Sequence, residues 1–189
     1  CETDLMAGDG DGHLVTSNFY QFSSTLYRRE GDRIERVRDL AYNAGHWVHG
    51  IKFFRPDVVA MTSRAHSAGV HFFDLGSGHL RYLLPTPGLH AQDICFLSET
   101  RLVLVADHGA PRLKPQAIYS SEIQIVDFDI ATRRCRTVLR KVLPDSHLDS
   151  IVAHQGLLYI TDQYNGVVRV IDAQALEPVA LLEGYNFPH

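Results

Sequence analysis

Apolar and polar residues alternate along this chain in short bursts that break at Gly, Asn, Asp or Pro, the pattern of half-buried strands. Three bursts end on an acidic residue: Val70-His71-Phe72-Phe73-Asp74-Leu75, Ile125-Val126-Asp127-Phe128-Asp129-Ile130 and Val168-Arg169-Val170-Ile171-Asp172-Ala173. A fainter copy, Thr25-Leu26-Tyr27-Arg28-Arg29, carries Arg28 at the aspartate position, so that Arg28, Asp74, Asp129 and Asp172 stand 46, 55 and 43 residues apart. A second anchor repeats alongside the first: Asp4-Leu5, Gly50-Ile51, Asp93-Ile94 and Ser150-Ile151, spaced 46, 43 and 57. A period in this range marks a tandem array. No segment carries a sustained helical period.

Within each copy four short strands are legible. In the last they span 150–153, 156–161, 166–171 and 178–182; in the second, 51–54, 58–62, 70–75 and 79–84. Turn formers such as Arg55-Pro56-Asp57, Gly76-Ser77-Gly78 and Tyr164-Asn165-Gly166 separate them. Four strands per unit in tandem predict an all-β propeller, with one blade each in 1–45, 46–88, 89–145 and 146–189 of a single domain, 1–189. Four blades fit either a compact four-bladed ring or part of a six- or seven-bladed one, completed by another chain or by further blades. The third copy holds an insertion, His108 to Ser121, between its second and third strands. An insertion in one repeat is either a loop on the working face or a tolerated surface excursion.

Composition narrows the function classes. Hydrophobic residues make up 45% and charged residues 21%, enough for a packed core. A net charge of −4 and short arginine pairs give no electrostatic footprint for nucleic acid. No apolar run approaches membrane-spanning length. The chain begins at Cys1 without a recognisable leader, so its native start is expected to be absent or processed, and the compartment is cytoplasmic or unassigned. The spacing of Cys1, Cys95 and Cys135 matches no disulfide framework or zinc knuckle. Cys95 reads as a small buried hydrophobe, and Cys135 as a strand residue alternating with arginines.

The stretch Leu157-Leu158-Tyr159-Ile160-Thr161-Asp162-Gln163-Tyr164-Asn165-Gly166-Val167-Val168-Arg169-Val170-Ile171-Asp172 resembles the repeat of NHL-type and YVTN-type β-propellers, in which a strand ends in Asp, an Asn-Gly turn follows and the next strand ends in Asp. His49-Gly50-Ile51 and Phe187-Pro188-His189 resemble the Pro-His-Gly approach to the innermost strand of those families. The resemblance is specific for the blade; the families include lyases, lactonases, binding modules and interaction scaffolds.

Eleven histidines are unusual for this length, and five cluster at one place in the repeat. His46 and His49 precede Ile51, His90 precedes Ile94, His147 precedes Ile151, and His189 closes the chain. In a propeller these positions converge on one channel mouth. Neutral imidazoles from several blades are a ligand set for zinc or iron: His49 (or His46), His90, His147 and His189. Asp93 and Asp149 stand beside them as direct ligands or as acceptors for a ring N–H. The ends of the second strands, Ser63, Asp107 and Asp162, followed by Arg64, His108 and Gln163 and then by His66 and Tyr164, reach the same face. Asp149, Asp162, Tyr164 and His108 are therefore the candidate catalytic residues of a metal-dependent lyase or hydrolase acting on a small-molecule or peptide ligand at the channel mouth. Peptidyl-hydroxyglycine lyases among NHL-type propellers hold zinc with channel histidines, and the resemblance implies His49 (or His46), His90 and His147 for that role. No nucleotide cofactor is implied, since no phosphate-binding glycine loop is present.

The competing expectation is a non-catalytic protein-interaction scaffold, whose histidines cap turns and bond the neighbouring blade. Asp74, Asp129 and Asp172 read as turn residues accepting backbone N–H bonds. His71 and His79 read as surface residues of outer strands. Asp9-Gly10-Asp11-Gly12 reads as a hairpin turn rather than half of a calcium loop.

Overall fold

The computed structural model describes residues 5–18, 23–40, 48–63, 68–108 and 120–184. Among them every regular element is a strand, and no helix is long and apolar enough to cross a membrane. The chain divides into two compact units, Cys1–Pro87 and Gly88–His189.

The first unit holds two blades. Blade 1 is β1 (Leu5–Gly8), β2 (His13–Asn18), β3 (Ser23–Glu30) and β4 (Arg33–Leu40). Blade 2 is β5 (Val48–Arg55), β6 (Val58–Ser63), β7 (Gly69–Asp74) and β8 (Leu80–Pro85). The second unit holds blade 3, β9 (Leu89–Ser98), β10 (Arg101–His108), β11 (Ser120–Asp129) and β12 (Arg134–Pro144), and blade 4, β13 (Leu148–His154), β14 (Leu157–Asp162), β15 (Val167–Asp172) and β16 (Pro178–Leu182). Each blade is a four-stranded antiparallel sheet whose strands pair in chain order. The sixteen strands follow the sequence pattern closely, because each is a short apolar run bounded by turn formers.

Face-to-face packing of sheets supplies each core. In the first unit Val15, Leu26 and Leu40 of blade 1 meet Ile51, Val59, Met61 and Phe73 of blade 2. In the second, Cys95, Val103, Val105, Ile123 and Ile125 of blade 3 meet Ile151, Leu158, Ile160 and Ile171 of blade 4. Burying each such side chain contributes about 1.5–3 kcal/mol. Cys95 is buried and Cys135 exposed, as expected.

Register corrects two sequence alignments. Ile51 pairs with Met61, Ile94 with Leu104 and Ile151 with Ile160, and the residue of blade 1 in that relation is Met6, opposite Thr16, rather than Leu5. Stacked repeats present opposite faces at successive junctions, and only the Met6 alignment puts Val15 on the face that meets blade 2. The same register makes Ala106, not Asp107, the counterpart of Ser63 and Asp162. Asp107 lies one residue further along, because β10 runs on to His108, and therefore faces the other way.

The strand-terminal aspartates close turns, as expected. Asp74 Oδ1 accepts from Ser77 N (2.7 Å), Asp129 Oδ1 from Ala131 N (2.8 Å), and Asp172 Oδ1 from Ala175 N (2.8 Å). Each turn places a left-handed residue four positions on: Gly78 (φ 76°), Arg133 (φ 55°) and Leu176 (φ 56°). Only the first is glycine. Leu176 is held there by burial of its side chain and by the Lys141 ammonium, which donates to its carbonyl at 2.8 Å. Blade 1 instead turns through Gly31 (φ 62°) with Glu30 paired to Arg33, a tighter link that needs no aspartate at Arg28. The Asp9–Gly12 segment is a hairpin turn, with Asp9 Oδ1 accepting from Asp11 N and His13 N at 2.8 and 2.9 Å.

One surface assignment is overturned. His71 is buried at 3% exposure and stacks near Phe73, because both faces of β7 are covered. His79 is exposed, in the turn before β8.

Candidate functional site

In blade 4 the start of the innermost strand and the end of the second strand lie together, since Leu148 pairs with Asp162 and Gln163 N donates to His147 O at 2.9 Å. Blade 3 repeats the arrangement: Leu89 pairs with His108, and His90 stands directly opposite Asp107. The second unit thus carries an acidic, histidine-bearing face where the sequence places one. Its buried carboxylates, Asp93, Asp107, Glu122 and Asp162, are engaged.

Asp162 is fully buried. Arg169 reaches its Oδ2 through Nε (2.8 Å) and Nη2 (2.7 Å). Asn165 Nδ2 donates to the same oxygen at 2.8 Å, while Oδ1 accepts from His147 N at 3.2 Å and Asn165 N at 3.3 Å. Burial alone would raise the Asp162 carboxyl. The hydrogen bonds from Asn165, Arg169 and His147 N, with the Arg169 charge, outweigh it and hold the group below the usual carboxylate range. A carboxylate so fixed in its charged form by five donor contacts ties the turn to the strand start. It is a poor proton acceptor.

Asp107 lies between blades 3 and 4. Its Oδ1 accepts from Ser121 Oγ (2.6 Å), its Oδ2 is bonded by the Gln92 amide, and His147 Nδ1 of blade 4 stands 3.2 Å from Oδ2. Ser121 Oγ, whose one proton goes to the nearer Asp107, also accepts from Leu148 N (3.0 Å) and lies 2.9 Å from Ser146 O. Asp93 crosses the same junction, its Oδ2 accepting from Ile151 N at 3.1 Å. Aspartate, serine and histidine therefore meet here, but the aspartate lies between the other two. A nucleophilic relay needs the imidazole in the middle.

His108 meets a fourth carboxylate. Its Nε2 is 2.9 Å from Glu122 Oε2, off the line a hydrogen bond requires, and Arg140 Nη2 donates to that oxygen at 3.0 Å. Glu122 is 1% exposed. Of the other sequence-selected residues, Asp149 is half-buried before Ile151, Tyr164 is exposed in the β14–β15 turn, His90 is exposed on β9, and Ser63 ends β6. His49 lies on β5 in the first unit. His46, Arg64, His66 and His189, with residues 109–119 of the insertion, lie outside the described residues. Among the described residues no three His, Cys, Asp or Glu side chains form a group that could hold a metal ion. Sequence reasoning missed Gln92, Ser121, Glu122 and Arg169. Arg169 had a signal: it alternates with the apolar positions of β15 on the side that carries Ile171 into the core.

A second concavity lies on the opposite rim of the unit, where the turns of blades 3 and 4 meet. It is an open groove of about 1540 Å³. Phe96, Ile125 and Phe128 are among its apolar residues, and Arg134, Arg136 and His154 among its basic ones. Its carboxylates are engaged: Asp127 is paired with Arg101 (2.6 Å) and Asp129 closes its turn.

No protein-family model and no curated protein matches the chain. Solved structures do. The computationally designed Ika4 protein is 14% identical, with a TM-score of 0.62 over 90% of this chain and 91% of that one. The C-terminal WD40 domain of Sif2 is 12% identical, with a TM-score of 0.62 over 97% of this chain and 46% of its own. The β-propeller domain of Cps50 (Swd1) from Myceliophteria thermophila is 11% identical, with a TM-score of 0.66 over 92% and 56%. The chain spans about half the length of those two domains. At such identities the likeness shows the fold alone, and with the four four-stranded sheets it makes this chain a β-propeller.

Proposed function

We propose that the protein is a non-catalytic interaction scaffold, and that the groove between blades 3 and 4 takes an extended, carboxylate-bearing segment of a partner protein. The observation that carries the reading is the engagement of Asp107, Asp162 and Glu122. Two of the acids from which chemistry was expected, Asp107 and Asp162, are buried and bonded to the fold itself, both reaching His147. The WD40 domain among the similar structures leans the same way. In the groove Arg134 and Arg136 are exposed and stand opposite Asp129 and Asp127 on the neighbouring strand, and those carboxylates also bond to their own turn and to Arg101, which leaves the groove with more guanidiniums than carboxylates. Such a surface favours acidic chains, with an affinity that falls as salt rises.

A labelled peptide alternating Glu and Leu tests this by fluorescence polarisation. Binding should weaken about tenfold in Arg134→Glu/Arg136→Glu, in line with the loss of a fold-change of that size per 1.4 kcal/mol. No binding, or binding indifferent to both substitutions, contradicts the groove.

The second reading is a zinc or iron site that draws on His90 and His147 of the second unit, serving a lyase or hydrolase. The approach of His147 Nδ1 to Asp107 favours it, since a carboxylate on one ring nitrogen orients the other toward a metal. Metal analysis of protein purified without a histidine tag separates the two. Less than about a tenth of an equivalent, with no gain on adding zinc or iron, supports the scaffold.

A further inference from the structure

The blade 1–blade 2 junction and the blade 3–blade 4 junction each join two defined half-surfaces. On the preceding blade the receiving residues are Cys95, Val103, Val105, Ile123 and Ile125 of blade 3. On the following blade the inserted residues are Ile151, Leu158 and Ile160 of blade 4, and their counterparts in blade 2 are Ile51, Val59 and Met61. Register then assigns the same positions in the other blades. The receiving positions of blade 4 are Val152, Tyr159, Thr161, Val168 and Val170. The inserted positions of blade 1 are Met6, Leu14 and Thr16.

Both sets are largely apolar, and apart from Val170, buried at 5% exposure, their members are exposed or half-buried. Val152 is 58% exposed where its counterpart Cys95 is 8%, and Met6 is 67% exposed where Ile51 is 6%. Tyr159 and Val168 are half-buried where Val103 and Ile123 are fully buried, and Leu14 is half-buried where Val59 is fully buried. Along β14 burial alternates strictly, whereas in β10 both faces are buried. Open apolar sheet faces of this kind are association surfaces. One chain thus carries the two opposite halves of a single junction type, and a surface that fits another surface elsewhere on the same molecule makes head-to-tail contacts between copies.

We propose that the open face of blade 4 docks against the open face of blade 1 of a second copy of this chain, reproducing the blade 3–blade 4 junction between molecules. This proposal is independent of the groove.

Sedimentation of the 189-residue chain between about 1 and 100 µM tests it, since mass action drives association over that range. The expected result is self-association in the wild type that is lost in Val152→Glu and equally in Met6→Glu. A mixture of Val152→Lys with Met6→Glu should associate at least tenfold more tightly than either variant alone. Circular dichroism checks that the variants fold. Hydrogen exchange on the wild type reads the same faces without substitution: amides of 13–18 and 157–161 should slow together as concentration rises. Four results overturn the proposal: a monomer at every concentration, as a different partner or further blades would leave it; association untouched by both substitutions; loss in Val152→Glu but not in Met6→Glu, which means blade 4 pairs with itself; or exchange that slows in one segment only.

Discussion

Asp162 and Asp172 end consecutive strands of the same blade, ten residues apart, in nearly the same words of sequence: Tyr-Ile-Thr-Asp and Arg-Val-Ile-Asp. Their physics differs. Asp172 sits at the outer turn, where its carboxylate accepts two backbone N–H bonds, and those bonds hold it below the usual carboxylate range. Asp162 sits on the opposite rim, fully buried, bound to an arginine, an asparagine and the backbone of the neighbouring connection. Strand-terminal aspartate is a local turn device at one rim and part of the packed structure at the other. The residue before the turn does not decide which; the residues that converge on it do.

The largest separation between the two should come from deletion. Asp162→Ala leaves the half-buried Arg169 guanidinium and two backbone N–H groups without their acceptor, and should cost about 1.5–3 kcal/mol in a urea denaturation experiment. Asp172→Ala removes two turn hydrogen bonds at the surface and should cost clearly less. Equal losses would erase the distinction.

Acid titration sharpens the same contrast. A group whose folded-state pKa is depressed adds stability above its unfolded value, near 4, and that stability is lost as pH falls through the lower folded value. Wild-type stability should therefore decline from about pH 5 downward, and Asp162→Asn should flatten that decline more than Asp172→Asn, because only Asp162 is held by an arginine charge. Denaturant midpoints measured between about pH 2 and 6 give the slopes.

The smallest expected effect lies in the equivalent turn of blade 3. Arg133 is exposed and sits at φ 55°, where an L residue is strained by about 1–2 kcal/mol. Arg133→Gly relieves that strain and loses about 0.5–1 kcal/mol to chain entropy, so it should stabilise by about 0.5–1 kcal/mol. Leu176→Gly, at the same position of blade 4, should destabilise instead, because Leu176 fills the core. Thermal melts of the two variants in parallel decide the sign.

Most of the fold was legible because each strand is a local apolar run and each turn a local composition signal. Strand limits at 178–182 and the aspartate turns needed no long-range information. The site was legible only as a location. That His147, Asp107 and Asp162 come to one rim follows from repeat register, but Gln92, Ser121 and Arg169 occupy ordinary strand positions, and nothing local shows that they engage those carboxylates. His71 failed for a related reason. Alternation reads one face as solvent, whereas both faces of β7 are covered. The one-residue slip at Asp107 came from an insertion that lengthens β10, which anchor spacing cannot resolve.

The claim that the histidine-bearing rim is structural is tested most directly by thermal denaturation of tag-free wild type and His147→Ala, each with chelator and with added zinc. A ligand that binds the folded state raises the melting temperature, so a metal site would show a zinc-dependent shift of several degrees that His147→Ala abolishes. The structural account predicts curves for each protein that superimpose with chelator and with zinc, and a lower melting temperature for His147→Ala in both. A zinc-dependent rise in the wild type, with no loss of stability in His147→Ala under chelator, would contradict it.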